Sequence, residues 1–295
     1  MRKLPTTTLR ACGAITALLG LGAAAPATPQ QVDVKLVLAV DVSPSIDDQE
    51  FAVEREGTAA AFADPQVVQA IQNGSLGRIA VILVHFSSQQ FNRVIVNWTI
   101  IRDRASAQAF ATAVRNAART PGRRTSISSA LELSSLLLEA SEKDITATRR
   151  VIDVTGDGPN NFGDSMTMVH DKTIAQGIVV NGLPVMDDMA NGYFADLDKY
   201  YAGCVTGGRG SFVIPVKSYR DYSAAMRHKL ILEISDSGHA VKQAMENPLL
   251  RPIAAAPPAR PAPVPEVLPS LPNEYSKNCD IPFGGFGGFG GFRRF

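Results

Sequence analysis

The sequence predicts an α/β domain, a mostly parallel sheet covered on both faces by helices. Two observations carry this. From Val32 to about His239 short apolar runs alternate with amphipathic stretches, and the runs lack the in/out alternation of a half-exposed strand. The same order, strand then helix, repeats along about 210 residues, which is the pattern of an α/β domain.

In chain order, residues 34–40 (VKLVLAV) form the first strand, almost continuously apolar and rich in β-branched side chains. Pro44 and Ile46 prepare the turn into a helix over 46–63, whose first turn carries Asp47 and Asp48 where the helix dipole favours acids. Strands follow at 79–86 and 93–98, then helices at 104–118 and 127–140. A fourth strand at 151–155 leads to a helix at 165–176, and a fifth at 178–184 to a helix at 194–201. The last pair is a strand at 211–216 and a helix at 219–234.

The regions outside this domain have other compositions. Arg2, Lys3 and Arg10 precede an uncharged stretch from Ala11 to Ala25 and the small residues Ala25-Pro26-Ala27. That is the order of a secretory signal peptide, and the apolar part is shorter than the roughly 20 residues that span a bilayer. Cleavage is expected after Ala27, with an uncleaved anchor as the other reading. It leaves 26 basic against 28 acidic side chains, and two cysteines, Cys204 and Cys279. In an exported chain these either pair with each other or leave Cys279 to bond another chain. Between Pro248 and Pro272 nine of 25 residues are proline, which predicts an extended spacer reaching roughly 75 Å. From 273 the tail becomes rich in Phe and Gly, repeating Phe-Gly-Gly before Phe292-Arg293-Arg294-Phe295. It reads as a disordered segment or a weak adhesive one.

Composition removes several functions. The full chain carries 29 basic and 28 acidic residues, well interleaved, so there is no dense basic patch for a phosphate backbone and nucleic acid is not an expected partner. No Gly-x-Ser-x-Gly elbow, phosphate-binding loop or His-Glu-x-x-His is present, and His85, His170, His228 and His239 have no zinc spacing.

What remains is a set of oxygens at strand ends. Asp41, Ser43 and Ser45 follow the first strand, Thr125 stands before the helix at 127, and the fourth strand runs into Gly156-Asp157-Gly158. In open parallel sheets ligands bind beyond the carboxyl ends of the strands, so three loops can bring two carboxylates and three hydroxyls together. These are hard ligands suited to Mg²⁺ or Mn²⁺. The alternative for the first segment is helix capping. Asp153, inside a strand expected to be buried, needs a partner, for which Arg55 is the candidate.

Asp41-x-Ser43-x-Ser45, the Thr125 loop and Thr155-Gly156-Asp157-Gly158 resemble the metal-ion-dependent adhesion site of von Willebrand factor A-type domains. Residues 33 to about 235 resemble more closely the exported bacterial proteins of domain-of-unknown-function family 1194. The resemblance implies a Rossmann-like, six-stranded, mainly parallel sheet with helices on both faces and one antiparallel edge strand, within a domain over 32–240. It also implies that Ser43, Ser45 and Thr125 contact the metal while Asp41 and Asp157 act largely through bound water. Arg123 and Arg124 depart from better-studied adhesion domains. With Asn160 and Asn161 they would form the rim around an acidic side chain offered by a protein partner. The expected product is an exported binding module, periplasmic or secreted, free or attached to the envelope. A metal-dependent hydrolase using Asp47 or Asp48 as base, and an envelope protein with an idle metal site, are the alternatives.

Overall fold

The computed structural model describes residues 28–120, 122–186, 194, 196–235, 265–270, 275 and 279–280. The expected signal peptide, most of the proline-rich stretch and nearly all of the Phe/Gly tail lie outside them.

Strand β1 (Gln30–Asp41) lies centrally, paired in parallel with β2 (Ile79–Phe86) on one side and β4 (Ile145–Gly156) on the other. The order is completed by β3 (Arg93–Ile101), β5 (Val179–Pro184), β6 (Phe212–Val213) and β7 (Leu268–Pro269), giving β3-β2-β1-β4-β5-β6-β7. β3 runs antiparallel at one edge, as expected. The sheet is seven-stranded, not six, because Leu268–Pro269, from the stretch read as a spacer, pairs antiparallel with β6 and forms a second antiparallel edge.

Side chains of β1 alternate between two cores. Leu36, Leu38 and Val40 face α1 (Asp48–Ala63), α2 (Pro65–Gln72), α3 (Arg104–Arg115) and α7 (Tyr222–Ile234). Val37 and Ala39 face α4 (Ile127–Ala140), α5 (Met166–Ala175) and α6 (Leu197–Tyr200), which continues as a π-turn over Tyr201–Val205. All six expected helices are present; α2 is an addition. Asp64 ends α1 and caps α2 by accepting from Gln66 N–H (2.7 Å), with Pro65 in the first turn.

Asp153 corrects one expectation. Its carboxylate lies 2.5 Å from Lys229 Nζ on α7, and Lys229 also pairs with Glu233, all three side chains being fully buried. Arg55 instead donates to the Ala117 carbonyl (3.2 Å) and lies over Phe51. β4 is central, so only a helix packed on its face can bring a cation to its middle, and that helix is α7.

Candidate metal centre

The register sets the ends of the central strands level: Asp41 lies opposite Phe86, and Val40 opposite Thr155. Chain connections leave in opposite directions there, β1 leading to β2 on one side while β4 lies on the other. The crevice between β1 and β4 is the position at which an open parallel sheet receives a ligand.

All five expected side chains meet in it. Asp41 Oδ1 accepts from the Ser43 N–H (2.7 Å), which turns the chain sharply after the strand. Ser43 Oγ and Ser45 Oγ are hydrogen-bonded at 2.9 Å. Ser45 Oγ donates to Asp157 Oδ1 (2.8 Å), and Thr125 Oγ1 donates to Ser43 Oγ (3.2 Å). Asp41, Ser43, Thr125 and Asp157 are buried, while Ser45 is exposed. Gly156 lets β4 close on β1, since a Cβ there would stand 3.1 Å from both Asp41 Oδ2 and Tyr201 Oη.

The electrostatics of the cluster are unbalanced. Burial, reinforced by the neighbouring charge of Asp157, holds the Asp41 carboxyl well above the usual carboxylate range, and burial raises Asp157 also. Glu54, on α1, is raised by burial and by the charges of Asp41 and Asp157. Asp41 Oδ2, Asp157 Oδ2 and both Glu54 oxygens are buried without a hydrogen-bond partner. Two such carboxylates among hydroxyls form the donor set a small divalent cation takes, so these residues fit one. Among the described residues no three His, Cys, Asp or Glu side chains are grouped as a metal cluster. A cation held there would draw on the hydroxyls as well as the carboxylates.

Arg123 and Arg124 are exposed, with their loop pinned through the backbone: Ser87 Oγ accepts from Arg123 N–H (2.8 Å) and donates to the Arg124 carbonyl (2.6 Å). Asn160 and Asn161 spend their amide oxygens on the scaffold. Asn161 Oδ1 accepts from Thr125 N–H (3.1 Å), and Asn160 Oδ1 from Ser128 N–H (3.0 Å). They bind the Asp157 loop to the Thr125 loop. Cys204 and Cys279 are joined by a disulfide, Cα–Cα 5.4 Å.

Sequence reasoning missed two supports. Arg119 donates to the carbonyls of Ser43 (3.1 Å) and Ile46 and pairs with Asp48 at 2.7 Å, holding the loop after β1 from beneath. Ser87 is fully buried behind the Thr125 loop. Neither carries a signal in sequence, since Arg119 reads like its exposed neighbours Arg123 and Arg124.

The model of the family described as "Protein of unknown function (DUF1194)" matches residues 31–238. No curated protein matches the chain. The pilus adhesin SpaC from Lactobacillus rhamnosus GG, in its open conformation, is similar in fold at TM-score 0.51 and 19% identity, covering 70% of this chain and 31% of the adhesin. Proximal thread matrix protein 1 from the mussel byssus, with a zinc-occupied MIDAS motif, gives 0.48 and 15%, covering 71% and 49%. The von Willebrand factor domain of the pili tip protein Mfa5 from Porphyromonas gingivalis gives 0.47 and 11%, covering 68% and 94%. This chain thus spans about a third of the adhesin's length.

Proposed function

The chain belongs to the DUF1194 family and has a von Willebrand A-type fold, and from that premise we propose that it is an exported, divalent-metal-dependent protein-binding module of the adhesion type. The observation that carries this is the pair of buried carboxylates, Asp41 and Asp157, each with an unpartnered oxygen, linked through Ser43, Ser45 and Thr125 at one end of the sheet. Mg²⁺ or Mn²⁺ bound there would supply an electrophilic centre for an acidic side chain of a partner.

The chain's own residues prepare the rest. Ser45, the exposed member, marks the side open to solvent, and Arg123 and Arg124, exposed in the loop that leads to Thr125, would add positive charge to the rim. The hydroxyls contribute donors without adding negative charge, so an incoming carboxylate meets less repulsion than it would from further acids.

The hydrolytic reading is weakened because both residues named for its base are engaged elsewhere. Asp47 Oδ1 is engaged by the N–H groups of Gln49 (2.7 Å) and Glu50 (2.8 Å) as the cap of α1, and Asp48 is paired with Arg119. Export rests on the signal-like N-terminus, and N-terminal sequencing of the secreted product is expected to begin at Thr28.

The test is thermal denaturation with and without Mg²⁺ or Mn²⁺, since a ligand that binds only the native state stabilises it. The wild type should gain stability and Asp157→Ala should not; the same shift in both would sink the metal assignment. Partner capture should be lost with a chelator, weakened by Thr125→Ala, and reduced when Arg123 and Arg124 are both changed to Ala.

A further inference from the structure

The C-terminal residues that the structure describes form a strap across one side of the domain, and its last described residue, Asp280, reaches the start of α5, where the loop from Asp157 ends. Leu268–Pro269 pairs with β6, and Ser270 Oγ is within hydrogen-bond distance of Thr206 Oγ1. Tyr275 packs its ring against Phe194 (5.8 Å) and Tyr200 (6.2 Å). Cys279 is bonded to Cys204 in the π-turn, and the Asp280 carboxylate accepts from Ser165 Oγ (2.7 Å) and Met166 N–H (2.6 Å) at the start of α5.

Between the disulfide and the site stands one hydroxyl. Tyr200 Oη donates to the Cys279 carbonyl (3.3 Å) and accepts from the Asn160 N–H (3.3 Å). Asn160 in turn accepts from Ser128 N–H, and Asn161 grips Thr125 through both its side chain and its N–H, the latter donating to the Thr125 carbonyl (2.9 Å). The loop that carries Asp157 is therefore held at its middle by Tyr200 and at its far end by Asp280. Both holds depend on where the residues around Cys279 lie.

We propose that the Cys204–Cys279 disulfide is a redox latch on the metal centre, with Tyr200 the positioning residue that transmits its state to the Asp157 loop. The proposal rests on the metal-site reading and adds its regulation. Both cysteines are buried, and a surface cleft of about 320 Å³, whose lining includes His170, Thr206, Ser270 and Cys279, borders the Cys279 end of the bond, the side from which a dithiol would approach. A thiolate of the dithiol attacks one sulfur, forming a mixed disulfide and releasing the other sulfur as a thiolate. The second thiol of the reductant then displaces the first sulfur, so the reductant leaves as a disulfide with two electrons given up. The two protein thiolates take up the two protons. Cys279 is then held by the contacts of the strap without a covalent tie, so it opens more often, and in the open form Tyr200 lacks its acceptor and Asn160 its fixed partner.

Calorimetric titration with Mg²⁺ or Mn²⁺ of the oxidised protein, the Cys204→Ser/Cys279→Ser double variant, and oxidised Tyr200→Phe tests this. Amide exchange of Thr125, Ser128, Asn160 and Asn161 is followed in the same three samples. The double variant is expected to bind metal about tenfold or more weakly than the oxidised wild type, with those four amides exchanging faster. Tyr200→Phe, whose disulfide is intact, should move in the same direction without the melting temperature falling in proportion. Equal affinities in all three overturn the latch and leave the metal reading standing. Absence of binding in every sample overturns the metal reading, and the exchange data then decide the mechanical link: unchanged protection of the four amides on loss of the disulfide overturns it, and faster exchange upholds it. Should the double variant fail to fold, Tyr200→Phe decides alone, by a loss of affinity and protection or by neither.

Discussion

Asp41 and Asp157 sit close enough that each raises the cost of charging the other, and both are buried. In the metal-free protein that is a standing destabilisation. Asp41→Asn keeps the shape and the Ser43 contact while removing one charge, so calorimetry in chelator should show a higher melting temperature than wild type, and the Mg²⁺-induced gain should vanish. A lower metal-free melting temperature would mean that the Asp41 charge is stabilised within the protein itself, without the proposed cation. A second residue-scale outcome concerns Asp153, whose carboxyl is raised to about 7 by burial and by the Glu233 charge, with Lys229 opposing. A group with a raised folded pKa binds its proton more tightly in the native state, so its contribution is greatest below the unfolded value near 4 and is lost as pH rises through about 7. His85, lowered to about 4 by burial and Arg119, works in the opposite sense over an overlapping window, and the wild-type curve mixes both with the raised carboxyls of Asp41, Glu54 and Asp157. The difference between wild type and Asp153→Asn isolates the carboxyl: in chemical denaturation from pH 4 to 7 the variant should lose less stability as pH rises. Parallel curves would remove Asp153 from the account. The five side chains of the cluster were legible because hydroxyls and acids at the end of an apolar run break its pattern. Lys229 was not, because nothing local to 151–155 names a helix 76 positions away, and a lysine at a helical position reads by default as exposed.

At the scale of elements, what was legible was whatever has its own period. Most of the expected strands and helices are long or apolar enough to announce themselves; β6 and α6, two and four residues long, are shorter than the 211–216 and 194–201 read for them. α2 is not: eight residues opened by proline look like a break, and the clue lay in Asp64-Pro65, which ends one helix and caps the next. The first half of β4 is half-exposed and carries Arg149 and Arg150, so its apolar signal begins only at Val151. The loops that bear the site are stabilised by contacts of another kind, backbone groups accepted by buried hydroxyls and amides. Gly122 shows how tightly the Thr125 loop is fitted, since a Cβ there would lie 2.5 Å from the Val42 carbonyl oxygen and 2.6 Å from Ser87 Oγ. Backbone cannot yield as a long side chain can. Gly122→Ala should therefore cost about 2 kcal/mol or more in chemical denaturation and displace Thr125 enough to remove the metal-induced stabilisation. A variant with wild-type stability and metal response would show that the loop is looser than its contacts imply.

Over the whole molecule the strap changes how the proline-rich stretch is understood. As composition it is a stiff spacer leading away from the domain, and stiffness argues against closing a loop. The structure nevertheless returns the chain to the domain at Leu268–Pro269 and bonds Cys279 to Cys204, 75 positions apart. What composition hides is that a few residues at the end of the proline-rich stretch and after it carry specific partners: Ser270 for Thr206, Tyr275 for the ring cluster of Phe194 and Tyr200, and Asp280 for the start of α5. A two-residue strand and scattered side-chain contacts leave almost no periodic trace. Their effect on stability should divide into two parts. The covalent bond restricts the unfolded chain, which for a loop of this length is worth about 4–5 kcal/mol in the chain-entropy model. The contacts of the strap stabilise the native state in addition. Denaturation in urea of the oxidised protein, the Cys204→Ser/Cys279→Ser double variant and a chain ending at residue 264 separates the two: the double variant should lose roughly the loop term, and the shortened chain should lose more. If the double variant and the shortened chain were equally stable, the strap would be held by the disulfide alone, and the contacts around Tyr275 and Asp280 would contribute nothing to the fold.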